Sequence, residues 1–122
     1  VDVRDACGYG STHMAYTTVQ AVFQAFRRRL TLAEAIRFAG ALPAGMRALF
    51  VADWDPCEAR RPFVARTALY EEIVALRPTH NFSAPDAIRD VAMCLWRHVD
   101  GEALTALLAE LPEGAAAFWR LK

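Results

Sequence analysis

Apolar residues recur along this chain at steps of three and four, the spacing that gathers them on one face of an α-helix. Val19, Val22, Phe23, Phe26 and Leu30 make one such stripe. Leu69, Ile73 and Leu76 make another, and Ile88, Val91, Ala92, Leu95 and Val99 a third. No sustained two-residue alternation and no Asn-Gly or Asp-Gly step marks a hairpin. The pattern predicts an all-α chain. Residues 1–7 read as the tail of a helix, broken at Gly8. A long helix from His13 to Leu30 follows, with Ser11 or Thr12 as its N-cap. Thr31-x-x-Glu34 fits a capping box and opens a helix to about Leu42. Pro43 ends that helix and starts another, to about Ala52, because proline suits a first turn and breaks an interior one. Further helices are expected from Val64 to Arg77, after a Ser83 cap, after an Asp100 cap, and from Pro112 to the end.

The pattern also repeats. Ala41-Leu42-Pro43-Ala44-Gly45 returns as Glu110-Leu111-Pro112-Glu113-Gly114, with Pro43 and Pro112 standing 69 positions apart. At that offset Val19 falls on Ile88, Phe26 on Leu95, Phe38 on Leu107 and Phe50 on Trp119. This predicts one domain, 1–122, of two similar helical units with about six to seven helices sharing one core. The first unit covers about 11–52, a connector 53–62, and the second unit about 63–122. Phe26, Phe38, Leu95 and Leu107 are the expected centre of the core. The helix over 64–77 has its counterpart at or before residue 7, and a shortened counterpart would leave an apolar groove on the first unit.

Leu42-Pro43-x-x-Met46-Arg47-x-Leu49-Phe50, then Trp54-Asp55-Pro56, then Leu111-Pro112, resembles a bacterial family called domain of unknown function 2267. The resemblance runs from about Ala15 to Trp119 and implies a small all-helical domain. It carries no catalytic residue across, because the family has none established.

Composition narrows the function classes. Fourteen Lys and Arg balance fourteen Asp and Glu, so the net charge is zero. A dedicated nucleic-acid or membrane-surface binder needs a basic excess, so neither partner is expected. Neutrality leaves little repulsion between copies, which favours self-association. No apolar run reaches the roughly 18 to 20 residues of a membrane span, and Val1 to Gly10 lack an apolar signal-peptide core. Cys7, Cys57 and Cys94 are odd in number, which argues against a disulfide framework and for a reducing cytoplasm.

Candidate chemistry is sparse. The stretch Asp53-Trp54-Asp55-Pro56-Cys57-Glu58 fails as a calcium loop, since its sixth position is Glu58 and its twelfth Val64. It reads as a turn at Asp55-Pro56 over a packed Trp54. Arg27-Arg28-Arg29 reads as a solvated helix end favoured by the helix dipole. Glu71, Glu72, Glu102, Glu110 and Glu113 read as solvated helix faces. The cysteines and His13, His80 and His98 lack the close spacing of a zinc site. Cys94 is expected as a small buried hydrophobe, and Cys7 as the more reactive thiol. Gly8-Tyr9-Gly10-Ser11 lacks the lysine and spacing of a phosphate loop and the order of a nucleophile elbow. No catalytic, cofactor or metal residue is assigned. The reading that remains is a non-enzymatic interaction module binding an unknown protein partner or a second copy of itself, with Val19, Phe23, Trp54 and Arg60 as partner-contact candidates. The alternative is a small-ligand or metal-binding protein with a pocket between the two units, using His80, His98 or the Asp53–Asp55 connector.

Overall fold

A computed structural model describes residues 12–76 and 84–121, with side chains over 18–76 and 87–121. These residues form seven helices and no strand. They are α1 Thr12–Arg27, α2 Leu32–Gly40, α3 Ala44–Val51, α4 Arg66–Leu76, α5 Ala84–His98, α6 Gly101–Glu110 and α7 Ala115–Phe118. The all-α expectation therefore holds. Residues 1–7, Gly8, Ser11 and the Ser83 cap lie outside the described residues.

Local signals set the helix starts. Thr31 caps α2 as a full capping box: its hydroxyl accepts the Glu34 N–H at 3.2 Å, and the Glu34 carboxylate accepts the Thr31 N–H at 2.8 Å. Asp100 caps α6, accepting from the N–H groups of Glu102 at 3.1 Å and Ala103 at 3.2 Å. Pro43 is the N-cap of α3. The second Leu-Pro step behaves differently. After Pro112 the chain turns through Gly114 at φ 102°, and α7 starts only at Ala115. Gly45 lies inside α3, whereas Gly114, two residues after the second Leu-Pro step as Gly45 is after the first, is a left-handed cap. The cause is Phe63: a Cβ on Gly114 would stand 2.7 Å from the Phe63 Cβ, so the close approach admits only glycine.

Helix α1 is the hub and packs against α3, α4 and α5. Its stripe is wholly buried, with Val19, Val22, Phe23 and Phe26 at 0 % exposure. The stripe therefore presents no uncovered apolar groove among the described residues, and the segment before residue 12, whose shortening would have opened one, lies outside them. Phe26 sits among the rings of Phe38 (4.8 Å), Phe118 (5.0 Å), Trp119 (5.2 Å) and Phe63 (5.8 Å). Phe23 meets Phe50 at 5.5 Å and Trp119 at 5.9 Å. Rings from α1, α2 and α3 thus close on rings from the C-terminal segment. Leu95 is buried as expected, but Leu107 is only partly buried; Leu104 and Leu108 point inward from α6 instead.

Candidate functional site

The connector between α3 and α4 is held by arginines. Residues 28–30 form a turn after α1, which brings three consecutive guanidinium groups against the connector and α4. Arg27 is 5 % exposed and Arg29 is 3 % exposed. The expectation of a solvated helix end is therefore wrong for both. Arg27 donates through Nη1 to the carbonyls of Phe50 (2.7 Å) and Ala52 (3.1 Å), closing the C-terminus of α3. Those carbonyls have no partner within their own helix. The Arg27 guanidinium also lies 5.3 Å from the Trp54 ring centroid, a cation–π arrangement. Burial pulls the Arg27 pKa down, and Glu58 and Asp53 partly offset that.

Arg29 donates to the Pro62 carbonyl through Nε (3.1 Å), to the Ala25 carbonyl through Nη1, and to both oxygens of Glu72 (2.9 and 2.7 Å). Arg28 adds a bond to Glu72 at 3.2 Å and an ion pair to Glu58 at 3.4 Å. Glu72 is thus the hub of a cage and not a solvated side chain, as its position beside Glu71 suggested. Burial on its own would raise the Glu72 carboxyl, but the hydrogen bonds and charges of Arg29, and then of Arg28, outweigh it. The net effect holds Glu72 below the usual carboxylate range.

The connector backbone is tied into the same cage, its Arg61 N–H donating to the Arg28 carbonyl at 2.9 Å. Upstream, Asp55 forms the turn expected of Asp-Pro: its carboxylate accepts the Cys57 N–H at 2.9 Å, and its carbonyl accepts the Glu58 N–H at 3.1 Å. Asp53 enters this turn at φ 54°, in the left-handed region.

Beyond the cage the connector borders a cleft of about 430 Å³. Arg60, Arg61, Pro62 and Phe63 line it from the connector, Pro112 and Glu113 from the second Leu-Pro step, and Arg29 from behind. Arg61 stands 3.5 Å from Glu72 and 3.7 Å from Glu58, oriented by both but beyond close hydrogen-bond distance. Arg60 is exposed and makes no hydrogen bond or ion pair among the described residues. It also borders a second, smaller cleft with Leu32, Trp54 and Pro56.

Of the partner-contact candidates, Val19 and Phe23 lie in the core at 0 % exposure and are not on the surface. Trp54 is half-buried and Arg60 exposed, and the smaller cleft joins them. His13, His80 and Cys7 lie outside the described residues. His98 does not reach the connector: its Nδ1 lies 2.8 Å from the Cys94 carbonyl on its own helix. Cys94 is buried in the core as expected, but it is disulfide-bonded, so the odd cysteine count gives no argument for a reducing compartment. Cys57 is a free, exposed thiol. Among the described residues no three His, Cys, Asp or Glu side chains come together to hold a metal, and no helix is long and apolar enough to cross a membrane. Sequence reasoning missed Arg61, Phe63 and Glu72, whose roles depend on contacts remote in sequence.

No curated protein matches this chain. A family model described as an uncharacterised conserved protein, DUF2267, matches residues 1–118, and so the chain belongs to the DUF2267 family.

Proposed function

We propose that this protein is a non-enzymatic protein-interaction module whose contact surface is the connector. The observation that carries the reading is a contrast between the arginines at the end of α1 and an arginine of the connector. Arg27 and Arg29 are committed to helix ends, backbone and Glu72, while Arg60 stands exposed, with no polar partner among the described residues, beside a half-buried Trp54. A surface with a partly exposed aromatic ring and an available arginine on a pinned backbone has the composition of a binding hot spot. Its rigidity lowers the entropy lost when a partner docks.

The test compares the wild-type chain with a Trp54→Ala/Arg60→Ala double variant of unchanged circular dichroism. Solution mass is followed by light scattering over a hundredfold dilution, and proteins retained from a lysate of the source cell are quantified for both. The reading expects either a dimer that dissociates on dilution or a retained protein, lost in the double variant. A monomer throughout, with identical retained sets for both chains, contradicts it. A second reading, a pocket for a small ligand between the two units, draws on the cleft, which the connector and the second Leu-Pro step line together.

A further inference from the structure

We propose that the cleft between the connector and the second Leu-Pro step captures the free carboxylate terminus of a partner chain ending in an apolar residue. This inference rests on the interaction-module reading and names the chemistry of its partner. Three groups in the cleft match three parts of such a terminus. Arg60 has no polar partner among the described residues, and Arg61 is oriented by Glu58 and Glu72 without close hydrogen bonds to either. Together they offer a fork of N–H donors suited to a carboxylate. Pro62, Phe63 and Pro112 supply an apolar wall for the terminal side chain. Phe63 is fixed there by its close approach to Gly114.

Glu113 makes no hydrogen bond or ion pair among the described residues and lines the same cleft. It can accept the amide N–H of the terminal residue. It also sets the charge that the cleft accepts. With Glu58 and Glu72 beside Arg61, a third carboxylate at Glu113 opposes a dianion more than a monoanion. The cleft is thus matched to a carboxylate rather than to a phosphate group. Its volume of about 430 Å³ falls in the range of small binding clefts and takes one or two residues.

The test is calorimetric titration of the full chain with an acetylated glycine-serine-glycine-leucine peptide bearing a free C-terminus. Three further arms use the same peptide as its C-terminal amide, N-acetylleucine, and inorganic phosphate. The proposal expects saturable binding of the free acid and binding at least about tenfold weaker for the amide, since a charge-assisted fork is lost. Arg60→Ala, at an exposed position, should weaken the free acid by a similar factor with an unchanged thermal midpoint. Equal binding of acid and amide overturns the carboxylate claim. Phosphate binding as tightly as the peptide overturns the charge argument. N-acetylleucine binding as tightly as the peptide overturns a chain terminus as the source and assigns the cleft to a small carboxylate. No binding of any probe at millimolar concentration overturns the proposal. The interaction-module reading is decided separately by its own mass and retention experiment.

Discussion

Phe26 shows how much a single residue carries here, because it touches rings from α2, the connector and the C-terminal segment at once. Phe26→Ala removes a fully buried ring that several elements share. It is expected to cost about 3–5 kcal/mol of unfolding free energy, read by urea denaturation; a cost under about 1 kcal/mol would show that the site is not core. Gly114→Ala tests a different residue-scale effect. The new Cβ would meet the Phe63 Cβ at 2.7 Å, at a backbone φ of 102° that side chains rarely adopt. A loss of about 1–3 kcal/mol is expected, together with displacement of the Phe63 ring resonances in NMR spectra. The same experiment at Gly40, where an added Cβ meets nothing within 4 Å, should be neutral to stabilising.

Among the elements, arginines repeatedly close the ends of helices other than their own. Arg27 serves α3 through Phe50 and Ala52. Arg47 serves α2 through the carbonyls of Ala39 (3.0 Å) and Leu42 (3.0 Å). Arg66 serves α7 through the carbonyls of Ala117 (2.9 Å) and Phe118 (3.4 Å). Each cation sits at the negative end of a helix dipole and adds a charged donor to its terminal carbonyls, of which Ala39 and Ala117 also accept the backbone N–H groups of Leu42 (3.1 Å) and Arg120 (3.2 Å). The Arg29–Glu72 pair joins α1 to α4 in the same spirit. Glu72→Gln leaves the buried Arg29 guanidinium without its counter-charge, while Arg28 keeps Glu58, and should cost about 2–4 kcal/mol at pH 7.

Its pH dependence has a definite sign. The Glu72 pKa is held below its ordinary value, so its stabilisation is present above the unfolded-chain pKa of about 4.3 and fades as pH falls through the lower folded value. The stability gap between wild type and Glu72→Gln should therefore be full at pH 7 and close progressively below about pH 4. A gap that stays constant down to pH 2.5 would show that the carboxylate charge is not what holds the connector.

These contacts mark the boundary of what the sequence makes legible. Capping is local, so Thr31-x-x-Glu34 and Asp100 are readable three residues at a time and appear as expected. The helical stripe of α1 is readable for the same reason. Arg27 and Arg29 are not, because their acceptors lie on residues 50, 52, 62 and 72, and a helix end examined alone looks solvated. Leu107 fails for a subtler reason. It was aligned with Phe38 through the 69-residue offset, yet α6 turns Leu104 and Leu108 inward.

At the scale of the whole molecule, the chain wraps a shared aromatic core and leaves one polar seam, the connector, lying across it. The helix bounds of the two halves run nearly in parallel: α6 opens 69 residues after α2, at 101 against 32, and α7 opens 71 after α3, at 115 against 44. The halves part company where Phe63 presses on Gly114, and the cleft lies at that same place.

The cage of Arg28, Arg29 and Glu72 makes the connector a fixed part of the fold. Native-state amide exchange at Arg61 reads this directly, because its N–H donates to the Arg28 carbonyl at 2.9 Å. At pH 7 the account predicts that this amide is protected by two orders of magnitude or more, roughly the effect of about 3 kcal/mol of local opening energy, and that Glu72→Gln removes most of that protection. An Arg61 amide exchanging at the rate of an unstructured chain in the wild-type protein would contradict it.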